Sequence, residues 1–198
     1  MGLIMALVFV AVPTIYFRYR RKASQEHKDD ENDSLSNIAG RRASLKPPFP
    51  LVVREVLSSS RLAYLSTVDS DLASSHLSLM RFTYLNDPED GEVVIMSTNM
   101  KTKKFDMLQN QRGVALLVHD FQQDGKNGEY SITLNGNCSI MASGKKTEQY
   151  RAAHLKHNPD FPQFIVGDDI AILCVHVTSA RICNVHDQVT RWDAPATE

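Results

Sequence analysis

The chain has 198 residues, 42% of them hydrophobic, and 22 basic against 23 acidic side chains leave a formal net charge of -1. That length holds one domain with a sizeable core and leaves little for a second. Past position 48 there are 14 basic and 18 acidic residues, a mildly acidic balance that argues against a nucleic-acid footprint, and three cysteines without CxxC spacing argue against a disulfide framework or zinc site.

The chain opens on "LIMALVFVAVPTIYF", 3–17, followed at once by "RYRRK". The apolar run is shorter than the roughly 20 residues of a typical spanning helix. Its positive charge follows rather than precedes it, which favours an uncleaved membrane anchor, 1–22, with Arg18, Arg20, Arg21 and Lys22 and the bulk of the chain on the cytosolic side. A cleaved signal peptide or an organelle presequence are the alternatives. Residues 23–48 are polar, poor in aromatics and end in Pro47-Pro48, the composition of a flexible linker. Within it "RRAS", 41–44, has the pattern of a basophilic kinase site, with Ser44 as the acceptor.

The folded domain is expected over 49–198. "FPLVVREVLSSSR" has helical spacing, with Pro50 in the first turn where proline is tolerated. Strands are predicted at 62–68, 76–85, 92–98, 113–121, 130–141 and 171–185, divided by turn signals such as "NDPEDG". Six strands with hairpin-length gaps favour a closed antiparallel barrel, a mainly β fold with a few helices. Further helices are expected from Thr102 to Asn110 and from Lys145 to about His157, the latter stopped by Pro159. "LNGN", 134–137, reads as a bulge or turn in a long strand, with Gly136 required by the backbone.

"STNMKTKKFDML", 97–108, gathers threonines and lysines at a strand end and in the first turn of a helix. Unpaired N–H groups and the helix dipole favour an anion there, so Thr98, Thr102, Lys103 and Lys104 are candidate phosphate ligands. A solvated basic turn is the bland alternative. His119 and Asp120 end a strand, where the imidazole could pair with the carboxylate. His154 and His157 share a helix face, most simply a solvated one. Arg191-Trp192 could close over a bound ring or pack the tail across the barrel.

The run "VIMSTNMKTKKFDMLQNQRGVALLV", preceded by "LAYLSTV" and "SHLSLMRFTY", resembles the FMN-binding half of the pyridoxamine 5'-phosphate oxidase-like family. The resemblance covers roughly 55–190 and implies a split β-barrel that binds FMN at a homodimer interface. It implies that Thr102, Lys103 and Lys104 meet the flavin phosphate and that Ser97 and Thr98 face the ring. Family oxidases place an arginine for the phosphate and a lysine for the substrate side on the strand 76–85; Ser78 and Thr83 stand at those positions here, with Arg81 on the face opposite Ser78. The chain ends at Glu198 without the carboxy-terminal dimerisation segment typical of true oxidases and so resembles the wider branch of the family instead. Ser78, Arg81 and Trp192 complete the candidate cofactor contacts, and no metal is expected. An FMN-dependent oxidoreductase is the leading expectation. A non-catalytic FMN or haem carrier and a ligand-free dimerising scaffold are the alternatives.

Overall fold

The computed structural model describes residues 44–45, 48–69, 74–121 and 129–194. The expected anchor at 3–17, its basic flank and the linker as far as residue 43 lie outside the described residues. Among the described residues no helix is long and apolar enough to cross a membrane.

Helix α1, Leu51–Ser59, starts at Pro50, whose carbonyl accepts from the backbone N–H of Val53 and Arg54. It buries Val53, Val56 and Leu57, at i, i+3 and i+4, while Leu51 stays exposed. Six strands then form a closed antiparallel barrel. They are β2 (Leu62–Asp69), β3 (Ser74–Asp87), β4 (Gly91–Asn99), β5 (Gly113–His119), β6 (Tyr130–Ile140) and β7 (Ile170–Asn184). The order around the barrel is β7-β4-β3-β2-β5-β6, and β6 pairs again with β7.

Strand β7 splits the barrel. Its first half pairs with β4 through Ile170–His176, and beyond the start of β4, Ser179–Cys183 pair instead with β8, Val189–Asp193. The sequence pattern did not predict β8, a five-residue strand behind the turn at 185–188. Ser44–Leu45, the last residues of the expected linker to be described in its interior, form a two-residue strand β1, parallel to β8 in register with Arg191 and Trp192.

Local chemistry sets the connections. At the β3–β4 turn the Asp87 carboxylate accepts from the N–H groups of Glu89 and Asp90, and Gly91 takes φ +68°, a conformation other residues rarely adopt. The register of β6 against β7 slips between Asn135 and Gly136, as the "LNGN" reading expected. A Cβ at Gly136 would stand 2.4 Å from the His176 carbonyl oxygen, so only glycine fits.

Strand β2 alternates, with Ala63, Leu65 and Thr67 inward. In β4, by contrast, Val93 through Thr98 are all buried. Val94 and Met96 face the barrel interior with Leu65, Phe82, Leu116, Leu134 and Val175. Val93 and Ile95 face a smaller cluster with Ile172, Cys174 and Tyr150 of helix α3, Lys145–His157. The unbroken "VVIM" run is thus a strand covered on both faces.

Two expectations are corrected here. His154 does not lie on a solvated helix face: it is 0% exposed, and its Nδ1 lies 2.9 Å from the Thr83 hydroxyl of β3. Trp192 does not close over a ligand. It is 3% exposed, belongs to the main core and meets the Phe49 ring edge-on with centroids 4.8 Å apart, so its indole packs the tail across the barrel.

Candidate functional site

Strand β4 ends at Asn99, and after a tight turn the chain enters helix α2, Lys103–Asn110. Thr102 is the N-cap: its hydroxyl donates to the Asn99 carbonyl at 2.8 Å and accepts from the Phe105 N–H. Helix α2 seats itself by burying Phe105, Met107 and Leu108. Beside this strand-to-helix junction lies a pocket of about 550 Å³, within the range of small-molecule sites.

Arg81, Ser97, Thr98, Thr102 and Lys104 line it, so five of the eight expected cofactor contacts come together. The remaining lining is Leu62, Leu79, Met80, Asn99, Phe161, Gln163, Phe164 and Ile170. Both lining charges are positive, and no carboxylate is present among the lining residues. Apolar and aromatic groups form most of the wall, and amide and hydroxyl groups the rest.

Lys103 and Lys104 separate. Lys103 is exposed and points to Asp69, with Nζ 3.7 Å from the carboxylate. Lys104 is half-buried and lines the pocket, and burial alone pulls its pKa below the ordinary lysine value. A half-buried ammonium without a compensating carboxylate favours an anionic ligand. The N–H groups of Phe105 and Asp106 are taken by Thr102, which leaves those of Lys103 and Lys104, without an intrahelical acceptor, to add to that preference.

The threonine and serine hydroxyls serve the scaffold. Thr98 Oγ1 lies 3.3 Å from Thr102 Oγ1, and the Ser97 hydroxyl donates to the Phe164 carbonyl at 2.7 Å. Ser97 therefore ties the end of β4 to the segment between α3 and β7. Arg151 holds that segment from the other side by donating to the carbonyls of Ile165 and Ile170 (3.2 Å for the latter). The Lys101–Asp169 ion pair at 2.6 Å closes its far end.

Ser78 is not part of the pocket. It stands opposite Leu65 in the β2–β3 register, two residues before Met80, and the β3 residues that reach the pocket are Leu79, Met80 and Arg81. The opposition of Arg81 to Ser78 is as expected, and the arginine lies on the pocket side. Its guanidinium carbon is 3.2 Å from the Phe161 ring centroid. Thr83, further along the same face, passes under α3. There its hydroxyl can donate to His154 Nδ1 and accept from Asn158 Nδ2 at 3.4 Å.

Phe161, Gln163 and Phe164 were not singled out in the sequence. They belong to a short 3-10 turn, Pro162–Phe164, that no hydrophobic period announces. The signals available were the two phenylalanines around Pro162 in an otherwise polar connection. His119 lies elsewhere, its ring stacked between Tyr64 and Phe121 at centroid distances of 6.4 and 5.5 Å.

Comparison with known proteins places this geometry in context. The family model described as pyridoxamine 5'-phosphate oxidase matches residues 49–184. A Schizosaccharomyces pombe protein named as a pyridoxamine 5'-phosphate oxidase homologue is 30% identical, over 76% of this chain and 93% of its own. Among solved structures, a haem-binding protein from Mycobacterium smegmatis superposes with a TM-score of 0.59 at 16% identity, covering 76% of this chain and 63% of that one. A FAD-binding protein from Mesorhizobium loti gives 0.55 at 13% identity, over 68% and 94%. These superpositions establish the split-barrel fold.

Proposed function

Because the chain belongs to the pyridoxamine 5'-phosphate oxidase-like family, we propose that its pocket binds FMN and that the protein is a flavin-dependent oxidoreductase. The observation that carries this reading is Lys104, a half-buried cation in a pocket with no acid among the described residues that line it. The flavin phosphate would be held by Lys104 and the N-terminal N–H groups of α2, with the junction kept rigid by the Thr98–Thr102 cap. The apolar wall of Leu62, Leu79, Met80 and Ile170 suits a planar ring and excludes water from one side of it. When bound, the flavin supplies hydride or single-electron transfer, and the protein supplies binding, orientation and electrostatics. Phe164 and Ser97 act together: the 2.7 Å bond between them fixes the wall opposite β3.

A second copy of the chain would complete the site. Strands β2, β3 and β5 expose Leu62, Tyr64, Leu77, Leu79 and Leu117 on one outer face, with Tyr64 in register with both Leu79 and Leu117. Leu62 and Leu79 belong to this stripe and to the pocket wall. A contiguous apolar face on a barrel calls for a partner, and its continuity with the pocket supports a homodimer with shared sites. A haem-carrying role is less well supported, since no histidine, cysteine or tyrosine is among the described residues that line the pocket to serve as a strong axial ligand.

The test is acid release and identification of any chromophore from the purified full chain, followed by anaerobic mixing of the loaded protein with a reduced nicotinamide. Reduction of bound FMN and its reoxidation by an acceptor support the enzyme. Intact FMN that is bound and released without turnover leaves a carrier, and failure to bind added FMN removes the assignment.

A further inference from the structure

Among the described residues the Arg81 side chain has no hydrogen-bond or ion-pair partner, although it is only partly exposed, and no carboxylate is among those that line its pocket. Its guanidinium lies over the face of Phe161, 3.2 Å from guanidinium carbon to ring centroid. Stacking of this kind fixes the plane of the guanidinium and leaves its N–H edge open. Phe161 is itself held, because its ring lies near Phe164 (centroids 6.5 Å apart, planes 20° from parallel) and the Phe164 carbonyl accepts from Ser97. The surrounding wall is apolar, with Leu62, Leu79 and Phe164.

We infer that Arg81 and Phe161 form a second anion site in the pocket, one that takes the carboxylate of a small organic acid with an apolar body. A flat guanidinium with a free edge matches a planar carboxylate through two parallel N–H···O bonds. The aromatic turn and the leucines of β2 and β3 would cover the apolar body. Lys104 and Arg81 then divide the work: Lys104, at the α2 junction, takes the cofactor phosphate, and Arg81, on β3, takes the acid that would meet the flavin. This division deepens the flavin assignment and names the class of its reactant. Binding of the acid itself needs no flavin, so the two can fail separately.

Benzoate is the probe and benzamide its neutral isostere. Each is titrated by ligand-observed NMR and calorimetry into the full chain, with and without added FMN. Benzoate is expected to bind at least about tenfold more tightly than benzamide, the usual size of a charge-assisted pair. Arg81→Gln is expected to erase that difference, and Arg81→Lys to restore only part of it, because an ammonium lacks the fork. Phe161→Leu, which keeps the charge and removes the stack, is expected to weaken benzoate several-fold; a thermal melt reports whether each variant is folded.

Equal binding of benzoate and benzamide overturns the inference, as does unchanged benzoate affinity in Arg81→Gln. Loss of FMN from Arg81→Gln as severe as from Lys104→Ala would hand the arginine to the flavin phosphate and overturn it as well. If a carboxylate of a second copy holds Arg81, the substitution will shift the monomer–dimer equilibrium and leave benzoate binding unchanged, again contrary to the inference. Should the chain bind benzoate through Arg81 yet take up no FMN, the acid site stands and the flavin assignment falls.

Discussion

Two adjacent lysines differ in what surrounds them. Lys103 has Asp69 nearby and water around it, while Lys104 is half-buried against the pocket. An exposed ion pair at 3.7 Å contributes little, so Lys103→Ala should leave FMN affinity within about twofold. Lys104→Ala should weaken it by about tenfold or more, the cost of losing a charge-assisted contact in a partly desolvated site. Equilibrium titration of the two variants with FMN checks this, and equal losses would contradict it. The adjacent lysines were legible in sequence as a phosphate signal, but the difference between them was not. It depends on the helix phase set by Phe105 and Leu108 and on where Asp69 of β2 comes to rest. The threonines were legible as polar ligands and prove to be caps, because a hydroxyl at a strand-to-helix junction finds backbone partners before it finds a ligand.

At the scale of elements, helix α3 and strand β3 are joined by a buried polar contact. His154 is fully buried beside Thr83 and Asn158, and its Nε2 has no hydrogen-bond partner among the described residues. Burial, with smaller contributions from His157 and Arg81, pushes its pKa from 6.5 down to about 4. The native state thus binds fewer protons than the unfolded chain between those values. Stability therefore falls as pH drops from 6.5 towards 4 and loses nothing further to this group below that. The loss amounts to about 3 kcal/mol over the window. Denaturant unfolding at a series of pH values should show it, and His154→Gln should flatten the slope by about one proton; an unchanged slope would contradict the account. On β6, Gly136→Ala should destabilise by about 1–3 kcal/mol, since its Cβ would meet the His176 carbonyl at 2.4 Å. A wild-type melting temperature would show that the bulge can relax.

The six barrel strands were legible from period-2 alternation, as in β2, or from unbroken apolar runs, as in β4, with turn signals between them, and α3 from the proline that stops it. The 3-10 turn 162–164 and strand β8 were not, being held by tertiary contacts such as Ser97 to Phe164 and Trp192 to Phe49. His154 was misread for a related reason: a polar helix face became a buried one because β3 offered Thr83 as its partner.

At the scale of the whole molecule, one barrel presents an apolar outer face and a pocket that share Leu62 and Leu79. Association through this face should join the two functions of that surface. Leu77 is 65% exposed and Leu117 39%, and neither lines the pocket. The double variant Leu77→Glu, Leu117→Glu should therefore convert a dimer to a monomer in light scattering and weaken FMN retention without unfolding the barrel. A variant that stays dimeric would place the interface elsewhere. The central claim is that this pocket holds a flavin. Its most direct test is the absorption spectrum of the full chain purified without added cofactor, with acid release of whatever absorbs. The two-banded spectrum of an oxidised flavin that yields FMN is the predicted result, and a colourless protein that takes up no added FMN would contradict it.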